Sequence, residues 1–152
     1  MIWGTSETPV GHLIAKWHRQ HHEGSAFVPP YSAAAWCGPD DDFRASAIFC
    51  NYTGSNIDIH LVVKNRPSIR ILRDILRYVF VQLKCRRLTA IVPESHTKLL
   101  RLVRGLGGEI SGSLRNWTGR DETGLIFSFY PEDAEKILNG RFTPTSSKRA
   151  VS

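Results

Sequence analysis

Residues 57–92 read IDIHLVVKNRPSIRILRDILRYVFVQLKCRRLTAIV, and the change of period inside this stretch decides the fold class. Ile57, Ile59, Leu61 and Val63 alternate with Asp58, His60 and Val62, the period of a half-buried strand. Pro67 suits the first turn of a helix. From there Ile69, Leu72, Ile75, Leu76, Val79, Phe80 and Leu83 trace one helical stripe, with Arg66, Arg70, Arg73 and Arg77 on other faces. Leu88 to Val92 returns to a short, β-branched, uncharged strand, which Pro93 ends. Strand, helix and strand in succession predict an α/β chain.

Upstream, Ala33 to Cys37 and Ala45 to Tyr52 read as two more strands, joined by the turn formers Pro39-Asp40-Asp41-Asp42. Thr53-Gly54-Ser55-Asn56 makes a second turn, so three consecutive antiparallel strands are expected. Before them, Val10, Leu13, Ile14 and Trp17 follow helical spacing behind a Thr8-Pro9 start, with Gly24 as the stop. Downstream, a helix from about Ser95 to Arg104 carries Leu99, Leu102, Val103 and Leu106 as its apolar stripe. Ser95 is its expected N-cap, and Gly105, Gly107 and Gly108 its stop. Glu109 to Trp117 and Gly124 to Tyr130 are two further strands, linked by a hairpin loop over Thr118 to Thr123. A short helix over Pro131 to Leu138 and a polar, basic tail over 143–152 complete a single expected domain of residues 1–142.

The length, 152 residues, suffices to bury a core without staples, and 41% hydrophobic with 22% charged residues is ordinary globular composition. No apolar run approaches the length of a membrane span. Met1 to Val10 carries Glu7 and no basic region, unlike a secretory signal, so the cytoplasm is the expected location. Cys37, Cys50 and Cys85 are odd in number and far apart, which argues for reduced thiols. The net charge of +6, concentrated between Lys64 and Arg104 and again at Lys148 and Arg149, attracts polyanions. Charge alone does not choose between nucleic acid, a phosphate-bearing cofactor and a solvated helix face. Trp3, Trp17, Trp36 and Trp117 are too dispersed for a single-strand nucleic-acid platform, so that reading ranks last. Trp17 and Trp36 are expected in the core. His18 and His22 stand one helical turn apart, a spacing used for zinc, but no third ligand lies at a characteristic distance. A solvated helix end is the expectation there, and no metal site.

The succession helix, three antiparallel strands, helix, strand, helix, strand hairpin resembles the GNAT acetyltransferases over about Ala45 to Tyr130. RLTAIVPESH (87–96) is similar to the family's fifth strand and following helix start, and LLRLVRGLGG (99–108) to its next helix ending. SGSLR (111–115) resembles the branch that acetylates protein amino termini, and the overall cadence resembles small tailed-phage proteins of this pattern. The resemblance implies a mixed central sheet of six to seven strands flanked by helices, with acetyl-CoA as cosubstrate and an amine, possibly of a protein, as acceptor. It implies that backbone amides of Leu61, Val62 and Val63 meet the pantetheine arm, and that Arg66, Ser68, Ile69, Arg70 and Ile71 stand where the family holds pyrophosphate. His60, with Asp58 on the same strand face, is the candidate base, since imidazole titrates near operating pH; a surface or core histidine is the plainer alternative. His96 falls where relatives place an Asn at a helix start, as a candidate for cofactor contact and proton donation, or as a polar first-turn residue.

Two departures stand against the pattern. Residues 66–71 contain no glycine, although glycine lets backbone amides approach phosphate closely. Val103 occupies the place of a Tyr that many relatives use as general acid. Both leave open a second reading: a catalytically degenerate GNAT-fold module serving binding or structure, for example as a phage virion or phage–host interaction protein or as a homo-oligomer.

Overall fold

The alternating segment forms a strand, Asn56–Val63, one of seven strands in the computed structural model, which describes residues 1–22, 27–66, 68–117 and 121–140. The chain divides into two units, Met1–Ile75 and Leu76–Ser152.

In the first unit β1 (Ile2–Thr5), α1 (Pro9–His21), β2 (Tyr31–Cys37), β3 (Phe43–Cys50), β4 (Asn56–Val63) and α2 (Ile69–Leu76) follow one another. The strands pair antiparallel in sequence order. The three expected strands and both turns are present: Gly38 N–H donates to Asp42 O, and Thr53 Oγ1 accepts from Asn56 N–H at 3.0 Å. β1 is an addition to the expected elements, because four residues are too few to show a period.

The register sets the two faces of this sheet. Ser46, Ile48 and Cys50 lie across from Val62, His60 and Asp58, while Ala45, Ala47 and Phe49 lie across from Val63, Leu61 and Ile59. α1 covers the first face, where Ile14, Ala15, Phe27, Tyr31, Ala33, Ala35, Ile48 and Cys50 form one buried cluster. Thr8 caps α1 as expected, its Oγ1 accepting from Gly11 N–H at 3.1 Å, with Pro9 in the first turn. The buried stripe, however, is Gly11, Ile14, Ala15 and His18 rather than Val10, Leu13, Ile14 and Trp17; Val10 is 38% and Leu13 57% exposed. Close approach explains the rotation. A Cβ on Gly11 would stand 1.8 Å from Thr5 O, so only glycine lets the helix lie this near β1. α1 ends at His21, and the expected stop Gly24 lies outside the described residues. Trp17 is half-buried, its ring 5.7 Å from Phe43, whereas Trp36 is buried as expected.

On the opposite face Trp36 Nε1 donates to Asp74 Oδ2 of α2 at 2.9 Å. Ser68 Oγ caps α2 by accepting from Ile71 N–H at 3.3 Å; Pro67 lies outside the described residues.

The second unit opens with a π-helical turn, Arg77–Gln82, where one continuous α-helix to Leu83 was expected. Leu83 N–H reaches back to Tyr78 O and Cys85 N–H to Val79 O, which widens the turn and seats Val79 in the core while Val81 faces solvent. β5 (Arg87–Pro93), α3 (Thr97–Gly105), β6 (Glu109–Leu114), β7 (Gly124–Phe129) and α4 (Pro131–Leu138) follow. β7 pairs antiparallel with both β5 and β6 around the buried Phe127. α3 stops where Gly107 takes φ +90° and Gly108 N–H closes back onto Val103 O. Its buried stripe is Leu100 and Val103, with Leu99, Leu102 and Leu106 half-buried. Residues 118–120 of the hairpin loop, and the basic tail with Lys148 and Arg149, lie outside the described residues. Among the described residues, seven strands and four α-helices make the α/β fold that the sequence implied.

Candidate functional site

Where β4 gives way to α2, Trp36, Cys37, Arg44, Val63, Asn65, Arg66, Ser68, Arg70 and Ile71 line a cleft of about 430 Å³. The local sequence builds it. β4 ends at Val63, Lys64 N–H still bonds Arg44 O, and the chain then turns through Asn65 and Arg66 to the Ser68 cap. Arg44, Arg66 and Arg70 bring three guanidiniums to one cleft whose lining, among the described residues, includes no carboxylate. Arg44 is itself held by Asp40, both carboxylate oxygens accepting from its Nη2 at 2.8–2.9 Å. Ser68 serves the amides of Ile71 and, through its carbonyl, Leu72, so the helix-start amides that precede the capped ones are those of Ile69 and Arg70. Guanidiniums and helix-start amides suit a polyanion such as the diphosphate of coenzyme A. The glycine-free connection thus presents side-chain cations at this cleft.

Of the expected cofactor residues, Val63, Arg66, Ser68, Arg70 and Ile71 come together in this cleft, and Ile69 opens the helix beside it. The register narrows the expectation for β4. Because Lys64 N–H pairs with Arg44, the alternation of an antiparallel ladder turns Val62 toward β3 and turns the amides of Leu61 and Val63 away from it.

His60 and Asp58 lie on the other face of β4, under α1. The Asp58 carboxylate accepts from Asn51 Nδ2 at 2.9 Å and from Asn56 Nδ2 at 3.0 Å. The His60 ring packs 5.6 Å from Phe27 and 6.5 Å from His18. Burial lowers its pKa, His22 lowers it further, and Asp58 opposes both. His60 is consequently a neutral imidazole at physiological pH. His96 caps α3 in place of Ser95, its Nδ1 accepting from Leu99 N–H at 3.3 Å, while Ser95 donates to Glu122. Val103 is buried.

Arg44 and Trp36 join the cleft without any signal in their local sequence, because strand pairing rather than spacing brings them there, while Asn65 enters it as the neighbour of Arg66 in the β4–α2 connection. His18, expected at a solvated helix end, is instead wholly buried against Ser46. Its place one turn beyond Ile14 and Ala15 is the signal that marks it. Among the described residues no group of three or more His, Cys, Asp or Glu is placed to hold a metal ion, and no helix is long and apolar enough to cross a membrane. Cys37 is an exposed free thiol; Cys50 and Cys85 are buried free thiols, and burial pushes Cys50 up to about 11, with Asp58 adding to the rise.

The fold is shared with solved acetyltransferases, a GNAT-family one among them. Spermidine/spermine N-acetyltransferase SpeG from Vibrio cholerae, in complex with manganese ions, superposes with a TM-score of 0.67 at 12% identity, over 93% of this chain and 96% of that one. A GNAT-family acetyltransferase from Bacillus anthracis gives 0.52 at 14% identity over 62% of each chain. The ribosomal-protein-S5-alanine acetyltransferase from Vibrio fischeri gives 0.59 at 11% identity, over 68% of this chain and 63% of that one. At such identities the likeness establishes the fold. No protein-family profile matches the chain, and no curated protein matches it in sequence.

Proposed function

We propose that the chain is an acyl-CoA-dependent N-acetyltransferase, a single domain over residues 1–142 that moves an acetyl group from acetyl-CoA to an amine. The observation that carries this reading is the cleft at the β4–α2 junction, with Arg44, Arg66 and Arg70 around the start of α2. Acetyl-CoA would supply a thioester already activated for attack by an amine. The chain's own share is to bind, to orient and to handle one proton. Arg66 and Arg70 hold phosphate, with the amides of Ile69 and Arg70. Leu61 and Val63 offer the amides whose direction suits a pantetheine arm. His60, kept neutral by burial, takes the proton of the amine, and Asp58 beside it favours the imidazolium that forms. His96 stands as a further candidate for cofactor contact, with Nε2 as its remaining ring nitrogen.

A protein amino terminus as acceptor rests on the resemblance of residues 111–115, and the phage kinship and the cytoplasmic location rest on sequence alone. Buried Val103 in place of a tyrosine favours the second reading, a noncatalytic module of the same fold.

Calorimetry with acetyl-CoA separates these readings. The enzyme reading requires binding, and Arg66→Ala with Arg70→Ala should weaken it by roughly 10- to 100-fold, the worth of one or two charge-assisted bonds. No binding at millimolar acetyl-CoA removes the enzyme reading. Unchanged affinity in the double variant removes the phosphate site. Binding with no CoA release toward any peptide or polyamine acceptor leaves the noncatalytic module.

A further inference from the structure

His18 is fully buried on the α1 face and takes no part in the proposed acetyl transfer. Ser46 Oγ, itself buried, lies 2.7 Å from its Nδ1 and fixes the ring. Its Nε2 meets no hydrogen-bond partner among the described residues. Phe27 stands edge-on at 5.7 Å and His22 stacks at 6.1 Å, both measured between ring centroids. The His60 ring lies 6.5 Å away and perpendicular.

That distance decides how the two rings can communicate. A ring nitrogen sits about 1.15 Å from its ring centroid, so the nearest nitrogens of His18 and His60 are no closer than ~4.2 Å, beyond the ~3.2 Å limit of a direct hydrogen bond. Two legs of ~2.8 Å to one water span such a gap. Leaving a buried polar nitrogen without a partner costs about 1–3 kcal/mol, and buried water is the usual remedy where polar groups converge.

We propose that His18 is a positioning residue for His60, holding it through one buried water between His18 Nε2 and the inner ring nitrogen of His60. The chain of donors runs inward. The inner N–H of His60 donates to the water, the water donates to His18 Nε2, and His18 Nδ1–H donates to Ser46 Oγ. A hydroxyl rotates to accept, so Ser46 suits the end of such a chain. The outer nitrogen of His60 then keeps its lone pair, the state a base requires. This last consequence rests on the proposed role of His60; the pairing of the two rings does not.

Long-range ¹H–¹⁵N correlation on the full chain with ¹⁵N-labelled histidine tests it directly. In the unsubstituted protein His18 should be the Nδ1–H tautomer, and His60 should show one fixed tautomer rather than an average. An Nε2–H tautomer at His18, or an averaged His60, overturns the proposal without touching acetyl transfer. His18→Phe fills similar space without a ring nitrogen. It should let the His60 tautomers average and lower kcat by roughly 10- to 100-fold, the usual cost of losing an orienting partner, with KM nearly unchanged. His18→Gln, which returns an acceptor near the Nε2 position, should recover a fixed His60 tautomer and much of the rate. A fixed His60 in His18→Phe would overturn the proposal even if the rate fell. If His18→Phe fails to fold, the spectrum of the unsubstituted protein still decides. If no acetyl transfer exists, the tautomer measurements stand alone, and only the role of His60 as base is lost.

Discussion

β4 presents two chemistries from alternate residues of one strand. Toward α2 it turns Ile57, Ile59, Leu61 and Val63, and that face ends at a cleft whose charged groups, Arg44, Arg66 and Arg70, remain exposed. Toward α1 it turns Asp58, His60 and Val62, and there the half-buried His60 packs beside Phe27 and the fully buried His18 and Ser46. The guanidiniums at the cleft stay open to solvent, Arg44 with Asp40 as its partner. The imidazoles on the α1 face are buried enough that their charged form is disfavoured, and His18 falls to about 3 through burial first and its basic neighbours after. The same strand thus separates permanent charge from titratable charge by the side-chain period of two.

The α1 side of β4 is most vulnerable at Gly11. A Cβ there meets Thr5 O at 1.8 Å, and one on Gly4 meets Gly11 N at 2.4 Å, so backbone faces backbone and no side chain can yield. Gly11→Ala should cost more than about 3 kcal/mol in urea unfolding, at the upper end for overpacking. The folded fraction should still bind acetyl-CoA, because the cleft lies on the other face. A melt within ~0.5 kcal/mol of the unsubstituted protein would mean that α1 does not lie as close as described.

Acid is the next lever. Above pH 6.5 His18 is neutral both folded and unfolded, and it contributes nothing to pH dependence. Below 6.5 the unfolded chain takes up a proton that the folded chain refuses until about 3. Stability therefore falls with falling pH across that window, by roughly 1.4 kcal/mol per pH unit from this group, and His60 adds in the same direction. Urea midpoints measured down the window should show the slope. His18→Leu should flatten it, and Arg66→Ala with Arg70→Ala should leave it intact. An equal slope in His18→Leu would show that other groups govern acid unfolding.

Much of this division is legible in the sequence, and what is not has a physical cause. The alternation of Ile57 to Val63 by itself separates the two faces of β4, and Pro67 to Leu83 marks the change to helix. α4 matches its expected bounds, since Pro131 and Leu138 carry local signals for both ends. α1 is rotated by one position from its expected face, because periodicity rewards the large residues Val10 and Leu13, whereas the sheet accepts the small Gly11 and Ala15. The same bias hides His18, a polar residue on the true buried stripe. The cleft is half visible: Arg66 and Arg70 are local to the β4–α2 connection, but Arg44 and Trp36 arrive through the register of β2 and β3, which no single segment encodes.

The finest distinction between the faces concerns Trp36, which lines the cleft yet spends its indole N–H on Asp74. Asp74 follows Arg70 by one helical turn, so it is close enough in the helix to compete for that guanidinium. Trp36→Phe removes the donor while keeping an aromatic ring, and the loss of one partly buried hydrogen bond should cost about 1 kcal/mol of stability. Once released, the carboxylate can pair with Arg70 at a worth of ~0.5 kcal/mol, which should weaken acetyl-CoA binding about twofold. Adding Asp74→Asn to the Trp36→Phe background should restore the affinity, since an amide brings no charge to Arg70. Restored affinity without restored stability would show that Trp36 serves the cleft by holding an anion away from it. Affinity that stays low in the double variant would instead show that the indole itself meets the cofactor.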